Sequence, residues 1–348
     1  MTKVVRVGNL LLGGGNPVLV QSMTNTDTRD TDATLAQIRA LAEAGCDIVR
    51  ISVYDEACAE AVKILAAESP VPLVADIHFD YKLAIRAAEN GIAKLRINPG
   101  NIGGEARVRE LADCAKAHHI PIRIGVNSGS AEKELLEKYG GPTAECLVES
   151  ALNHARMLEK AGFDDIVLSM KSSDVKLTID AYRLASRQCG YPLHLGVTEA
   201  GLPGQGTVKS AIGIGALLAD GIGDTIRVSL SGDPVPDAAA AWDILRALNL
   251  RVRGVQLIAC PTCGRTCIPV EAIARRVEKE LSDVTVPLKV AVMGCVVNGL
   301  GEGREADVGI AGGKTGGVLF VRGQEPKRVE GDLADQLIRE VRKMVGEK

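Results

Sequence analysis

An α/β architecture, an eight-unit (β/α)8 barrel of the TIM type followed by a small α+β unit, is what this sequence predicts. Three observations lead there. At 348 residues the chain is longer than one usual domain. From about residue 18 to 250, short β-branched runs alternate with Ala-, Leu- and Glu-rich stretches of helical period, the pattern of repeated βα units and a parallel sheet. Past Arg251 that rhythm breaks, so the two units are expected at 1–250 and 251–348.

Residues 6–15, ending in Gly13-Gly14-Gly15, predict a hairpin laid before the first strand, plugging the N-terminal end of the barrel. Eight strand-like runs follow, at 18–23, 48–53, 73–77, 94–97, 122–126, 166–170, 193–197 and 225–229. Helical stretches such as 31–44, 56–69, 81–90, 144–161 and 236–248 come after them. Eight parallel strands with helical crossovers in about 230 residues fit a closed barrel in size and order. An open doubly wound sheet is the alternative. In the second unit the pattern gives strand 254–259, helix 270–281, strands 288–293, 308–311 and 317–321, and helix 332–345. Gly312-Gly313 and Gly316-Gly317 flank Lys314, and without a strand–turn–helix context they read as a hairpin turn rather than a phosphate loop.

Composition removes several function classes. The formal net charge is −3 with acids and bases interspersed, which gives neither a basic field for nucleic acid nor a polybasic stretch for a membrane surface. The apolar run from Ala211 to Ala219 stops at Asp220, well short of the roughly 20 residues a bilayer span requires. The start, Met1-Thr2-Lys3-Val4-Val5-Arg6, lacks a signal-peptide apolar core, so a cytoplasmic location is expected. Of nine cysteines, Cys46, Cys58, Cys114, Cys146 and Cys189 are scattered singly and read as inert thiols. The other four fall between 260 and 295, a clustering that points to metal chemistry rather than disulfides.

In barrels of this kind, polar residues at the C-terminal ends of the strands line the active site. Those positions here hold Arg50 and Ser52, Asp76 and His78, Arg96 and Asn98, Arg123 with Asn127 beyond, Lys171, Glu199, and Arg227 with Ser229. One long cation at a strand end can simply pair with a neighbouring carboxylate. Five together, Arg50, Arg96, Arg123, Lys171 and Arg227, exceed the nearby acids Asp76 and Glu199, and a ligand with several negative charges would balance them. Arginine's planar fork suits phosphate oxygens and lysine adds a movable point charge, so a diphosphate-sized anion is inferred. Glu199 and His78 are candidates for proton transfer, and Asn127 for orienting a hydroxyl.

Cys260-Pro261-Thr262-Cys263 follows a predicted strand and presents two thiols from one tight loop; Cys295 follows another strand. The loop Asn298-Gly299-Leu300-Gly301-Glu302 can return a carboxylate to the same centre. Three thiolates and one weaker oxygen ligand would hold an iron–sulfur cluster with a labile corner. A structural zinc site built from Cys260, Cys263, Cys267 and Cys295 satisfies the same spacing, giving a zinc-stabilised barrel that binds a phosphorylated ligand without redox chemistry. A radical cluster of the S-adenosylmethionine type is set aside, because its CxxxCxxC order is reversed here and residues 24–30 contain no cysteine.

Taken together, the motifs resemble those of the (E)-4-hydroxy-3-methylbut-2-enyl diphosphate synthase family, in its compact two-domain bacterial form. The resemblance spans almost the whole chain. It is carried by Val20-Gln21-Ser22-Met23-Thr24-Asn25-Thr26, Asp76-Ile77-His78-Phe79, Leu95-Arg96-Ile97-Asn98-Pro99-Gly100-Asn101, Gly125-Val126-Asn127-Ser128-Gly129-Ser130 and Cys260-Pro261-Thr262-Cys263-Gly264-Arg265. Gly294-Cys295-Val296-Val297-Asn298-Gly299 and Gly309-Ile310-Ala311-Gly312-Gly313 complete it. The resemblance implies reductive opening of 2-C-methyl-D-erythritol 2,4-cyclodiphosphate at a [4Fe-4S] cluster ligated by Cys260, Cys263, Cys295 and Glu302. It implies substrate binding by Arg50, Arg96, Arg123, Asn127, Lys171 and Ser229, with Glu199 as proton donor. It further implies flavodoxin or ferredoxin as electron donor, and a homodimer whose active sites are shared between subunits. Two departures stand out: Leu300 replaces the family's usual proline, freeing one φ angle before Glu302, and Cys267 is an additional thiol.

Overall fold

The computed structural model describes residues 1–297, 301 and 303–346. They divide into two compact units, Met1–Arg251 and Val252–Lys348. Arg251 is held by the first unit, where its guanidinium pairs with Asp47, donates to the Val18 carbonyl at 2.8 Å and lies 4.5 Å from the Trp242 ring.

The first unit begins with β1 (Val5–Val7) and β2 (Leu10–Leu12), an antiparallel hairpin. Eight parallel strands follow: β3 (Leu19–Met23), β4 (Ile48–Ser52), β5 (Leu73–Asp76), β6 (Lys94–Ile97), β7 (Ile122–Asn127), β8 (Ile166–Lys171), β9 (His194–Leu195) and β10 (Thr225–Ile226). Their spatial order is β8-β7-β6-β5-β4-β3-β10-β9, and an isolated parallel bridge, Leu168 to Leu193, joins β8 to β9. The ring is therefore a barrel, not an open sheet. Aspartates at strand-to-helix turns start the helices: Asp30, Asp55, Asp80 and Asp174 each accept an amide of the following first turn, satisfying donors that a helix start leaves unpaired.

Alternation along each strand divides the side chains between two sides. Val49 and Ile51, Leu95 and Ile97, Ile122 and Ile124, Ile166 and Leu168 join the large core shared with the helices. The intervening residues point into the barrel. At its base Leu19, Ile48, Val74 and Val167 form a separate apolar cluster with Val5, Val7 and Leu12, so the hairpin closes the N-terminal end as predicted.

The ladders of β9 and β10 are shorter than the runs 193–197 and 225–229. Just past β9, a Cβ on Gly196 would lie 2.5 Å from the Lys171 Nζ and 2.8 Å from the Arg227 carbonyl, so a cationic side chain and a neighbouring backbone occupy the space beside the chain there.

In the second unit β11 (Val255–Ala259), β12 (Leu288–Met293) and β13 (Val308–Gly313) run parallel, and β14 (Gly316–Val321) and β15 (Lys327–Val329) add on antiparallel. Helices Val270–Glu280 and Leu333–Met344 share one face of this sheet, with Ile273, Val277, Leu337 and Val341 packed on Val290, Val292, Val308 and Ile310. The paired glycines form the predicted hairpin turn: Gly313 faces Gly316 across β13 and β14. Strand β15 was not read from the sequence, since its residues Lys327-Arg328-Val329 carry only one apolar side chain. No described helix is long and apolar enough to cross a membrane.

Candidate active site and thiol loops

Above the apolar base, the barrel interior changes character. The inward positions of the next layer are Gln21, Arg50, Lys94, Arg123, Ser169, His194 and Thr225, and all seven are buried. Above them come Asp76, Arg96, Lys171 and Arg227. Barrels of this type ordinarily fill these layers with Val, Ile and Leu. Here six cationic side chains, Arg50, Lys94, Arg96, Arg123, Lys171 and Arg227, take that space.

Among the described residues, Asp76 is the one carboxylate paired with these cations. Its Oδ1 accepts from Arg96 at 3.0 Å, and its Oδ2 lies 3.8 Å from the Arg50 Nε and 3.6 Å from the His78 Nε2. Burial alone would raise the Asp76 pKa, but Arg50, His78, Arg96 and Arg123 outweigh it and hold the carboxyl well below the usual range. The opposite happens to the cations. Burial, then repulsion from neighbouring arginines, pushes Arg123, Lys94 and Lys171 well down, and brings Arg227 to about 9. Arg227 has a partial counterweight in Asp237, whose own carboxyl burial raises to about 6.

Several of these donors also lack acceptors. Arg96 Nε, Arg123 Nε and Nη2, Arg227 Nε and Gln21 Nε2 are buried without a hydrogen-bond partner among the described residues. Buried donors are normally satisfied, so the set calls for an oxygen-rich anion. Two glycines make the room. A Cβ on Gly125 would sit 2.5 Å from Arg96 Nε, as one on Gly196 would from Lys171 Nζ.

The other predicted barrel residues surround this centre. Asn127 ends β7 directly opposite Lys171 in the ladder and is half-buried. Ser229 is half-buried past β10. His78 is largely exposed at the rim, its Nε2 turned to Asp76. Glu199 is exposed, and among the described residues no hydrogen bond or ion pair joins it to the cations. Its φ of +52° places a non-glycine residue in the left-handed region, a strained setting at the mouth.

Sequence reading by strand ends missed Lys94, His194 and Gln21, which share a layer with Arg50 and Arg123. The signal was available in the period of two: Lys94 shares the face of Arg96, and Gln21 that of Met23.

In the second unit, Cys260 and Cys295 follow the adjacent parallel strands β11 and β12. The Cys260 N–H donates to the Val292 carbonyl at 3.1 Å, and the Gly294 N–H donates to the Cys260 Sγ at 3.0 Å. The Cys267 N–H closes the loop onto the Gly294 carbonyl at 2.8 Å. Space at Gly294 is tight, since a Cβ would meet Thr266 at 3.0 Å and the Cys260 sulfur at 3.2 Å. Cys260 and Cys295 are half-buried, while Cys263 and Cys267 are exposed. The Cys267 thiol donates to the Arg265 carbonyl at 3.2 Å. Glu302, Leu300 and the rest of 298–300 lie outside the described residues. Among the described residues, no three His, Cys, Asp or Glu side chains are arranged to hold one metal ion. The donor set itself, soft thiols with a backbone N–H aimed at sulfur, fits an iron–sulfur group. By contrast Cys46, Cys58 and Cys146 are buried in the barrel unit and Cys114 and Cys189 half-buried; burial pushes the Cys58, Cys114, Cys146 and Cys189 thiols up.

The family profile described as the GcpE TIM-barrel domain matches residues 2–242, and that of the GcpE protein C-terminal domain matches 256–343. The chain belongs to the GcpE family. Two relatives within it, from Geobacter sulfurreducens and Caldanaerobacter subterraneus, are each 58% identical over 348 residues. The alignments cover all of this chain and 99% and 98% of theirs, and both relatives are named 4-hydroxy-3-methylbut-2-en-1-yl diphosphate synthase (flavodoxin). GcpE enzymes of this kind are iron–sulfur oxidoreductases. A 7,8-dihydropteroate synthase structure from Vibrio fischeri aligns with 71% of the chain and 98% of its own, at 12% identity and a TM-score of 0.51, a likeness of fold alone.

Proposed function

We propose that this chain converts 2-C-methyl-D-erythritol 2,4-cyclodiphosphate to (E)-4-hydroxy-3-methylbut-2-enyl diphosphate, a step of the methylerythritol phosphate route to isoprenoids. The substrate takes up two electrons and two protons, its ring opens, and one water leaves. Flavodoxin, the donor in the relatives' names, supplies the electrons. The observation that carries this reading is full-length 58% identity to synthases so named, in a chain whose barrel interior is a cationic, donor-rich cavity.

The barrel, residues 1–250, binds the substrate. Arg50, Arg96, Arg123 and Lys171 take its phosphate oxygens, with Asn127 and Ser229 alongside, and Glu199 and His78 handle protons at the rim. Residues 251–348 would hold a [4Fe-4S] cluster on Cys260, Cys263, Cys295 and Glu302, a group that supplies electrons one at a time. The protein works as a homodimer, each active site combining the barrel of one protomer with the cluster unit of its partner. A cytoplasmic location accompanies this reading. The zinc alternative gains no support from the relatives, and the Cys267 thiol is engaged with a backbone carbonyl.

Lys171→Ala and Arg123→Ala are each expected to weaken substrate binding by about 1.5–3 kcal/mol, the value of a hydrogen bond to a charged group. Iron and sulfide content should stay at the wild-type level, because both residues belong to the barrel. Titration calorimetry under anaerobic conditions checks this. Wild-type affinity in both variants would put the anion site elsewhere.

A further inference from the structure

We propose that His194 is a positioning residue for Lys171: a neutral imidazole, sealed inside the barrel, whose Nε2 lone pair holds the lysine ammonium at the anion site. The inference rests on the reading that Lys171 binds substrate phosphate. His194 is fully buried, with Nε2 3.3 Å from the Lys171 Nζ and Nδ1 3.4 Å from the Thr225 Oγ1. With the three protons that its phosphate-binding role requires, Lys171 has donors only, and Nε2 then accepts from it. The ring proton is then on Nδ1, where it donates to the Thr225 hydroxyl. Thr225 on β10 thus accommodates the tautomer that the lysine on β8 requires.

The backbone around this contact is built to admit it. Strands β8 and β9 meet at the isolated Leu168–Leu193 bridge. Just above, the Tyr182 hydroxyl spans the seam, accepting from the Met170 N–H at 3.1 Å and donating to the His194 carbonyl at 2.5 Å. Next along β9 on the same side is Gly196, where any Cβ would collide with the Lys171 Nζ.

A neutral acceptor suits the task better than a carboxylate. It fixes the ammonium without cancelling the charge that attracts phosphate. The groups acting on the imidazole are Lys171 on β8, Thr225 on β10, Arg123 on β7, Lys94 on β6 and Arg50 on β4. Burial, followed by the charges of Arg123, Lys171, Lys94 and Arg50, holds the imidazole well below its ordinary pKa, so it stays an acceptor at neutral pH.

The test is a double-mutant cycle on the anaerobically reconstituted holoenzyme, measuring affinity for the cyclodiphosphate by calorimetry. H194L should weaken binding about tenfold in the wild-type background and less than about twofold in the K171A background. H194Q, whose amide oxygen reaches the Nε2 position, should restore most of the affinity. H194N, too short to reach Lys171, should behave like H194L and serves if the leucine variant does not fold. A tenfold loss from H194L that persists in K171A, or wild-type affinity in both H194L and H194N while K171A binds weakly, would overturn the inference alone. Undiminished binding by K171A would overturn the anion-site reading beneath it.

Discussion

Replacing Asp76 by asparagine is expected to lower stability at neutral pH by about 3–5 kcal/mol, the usual cost of removing one partner from a buried ion pair. Asp76 is 6% exposed and is the carboxylate that pairs with Arg50 and Arg96 beneath the mouth. Without it Arg50 and Arg96 lose the carboxylate that offsets their mutual repulsion. At roughly 2–4 °C per kcal/mol for a unit of this size, the melting temperature should fall by about 10 °C. The pH dependence has a definite sign. Asp76 has a folded pKa far below its unfolded value of about 3.9, so its contribution is complete above that value and is lost as pH falls through the acid range. The gap between wild type and Asp76→Asn should therefore be full at pH 7 and narrow below about pH 4. Adding substrate should restore more stability to the variant than to wild type if free ligand stays well above the dissociation constant and binds the variant more tightly. Equal melting temperatures at pH 7 would show that the cations are not held in check by this carboxylate.

Mixing two damaged chains should recover about a quarter of wild-type activity. One parent carries Lys171→Ala with Arg123→Ala in the barrel; the other carries Cys295→Ser in the cluster unit. Each parent alone should have lost nearly all activity. In a twofold dimer whose sites combine the two units of different protomers, a mixed dimer holds one doubly damaged site and one intact site. Random pairing makes about half of the dimers mixed. Sites formed within one chain would keep one lesion each and return nothing. Verified subunit exchange without recovery would therefore exclude the shared-site homodimer.

The barrel was legible because its strands and helices obey different periods, and because each strand's outward residues must pack on helices. The runs 48–53 and 94–97 were readable for this reason, and so was the hairpin that plugs the base. The mouth was legible where charge coincides with a strand end, as at Arg50, Arg96, Arg123 and Lys171. Lys94 and His194 lay inside the runs 94–97 and 193–197 but near their starts, and site residues were sought only at strand ends. Only the closed barrel turns that position into a buried layer. The close approach of Lys171 to Gly196 was equally out of reach, because it joins residues 25 positions apart on different strands. Strand β15 is an edge strand with charged residues, which suits an edge but removes the alternation that announces one.

The most direct test of the account is the metal and sulfide content of the full chain purified without oxygen, read together with turnover by reduced flavodoxin. A brown protein with about four iron and four acid-labile sulfide per chain, little zinc, and conversion of the cyclodiphosphate to the open diphosphate is the predicted result. A colourless protein with about one zinc per chain and no product would contradict it.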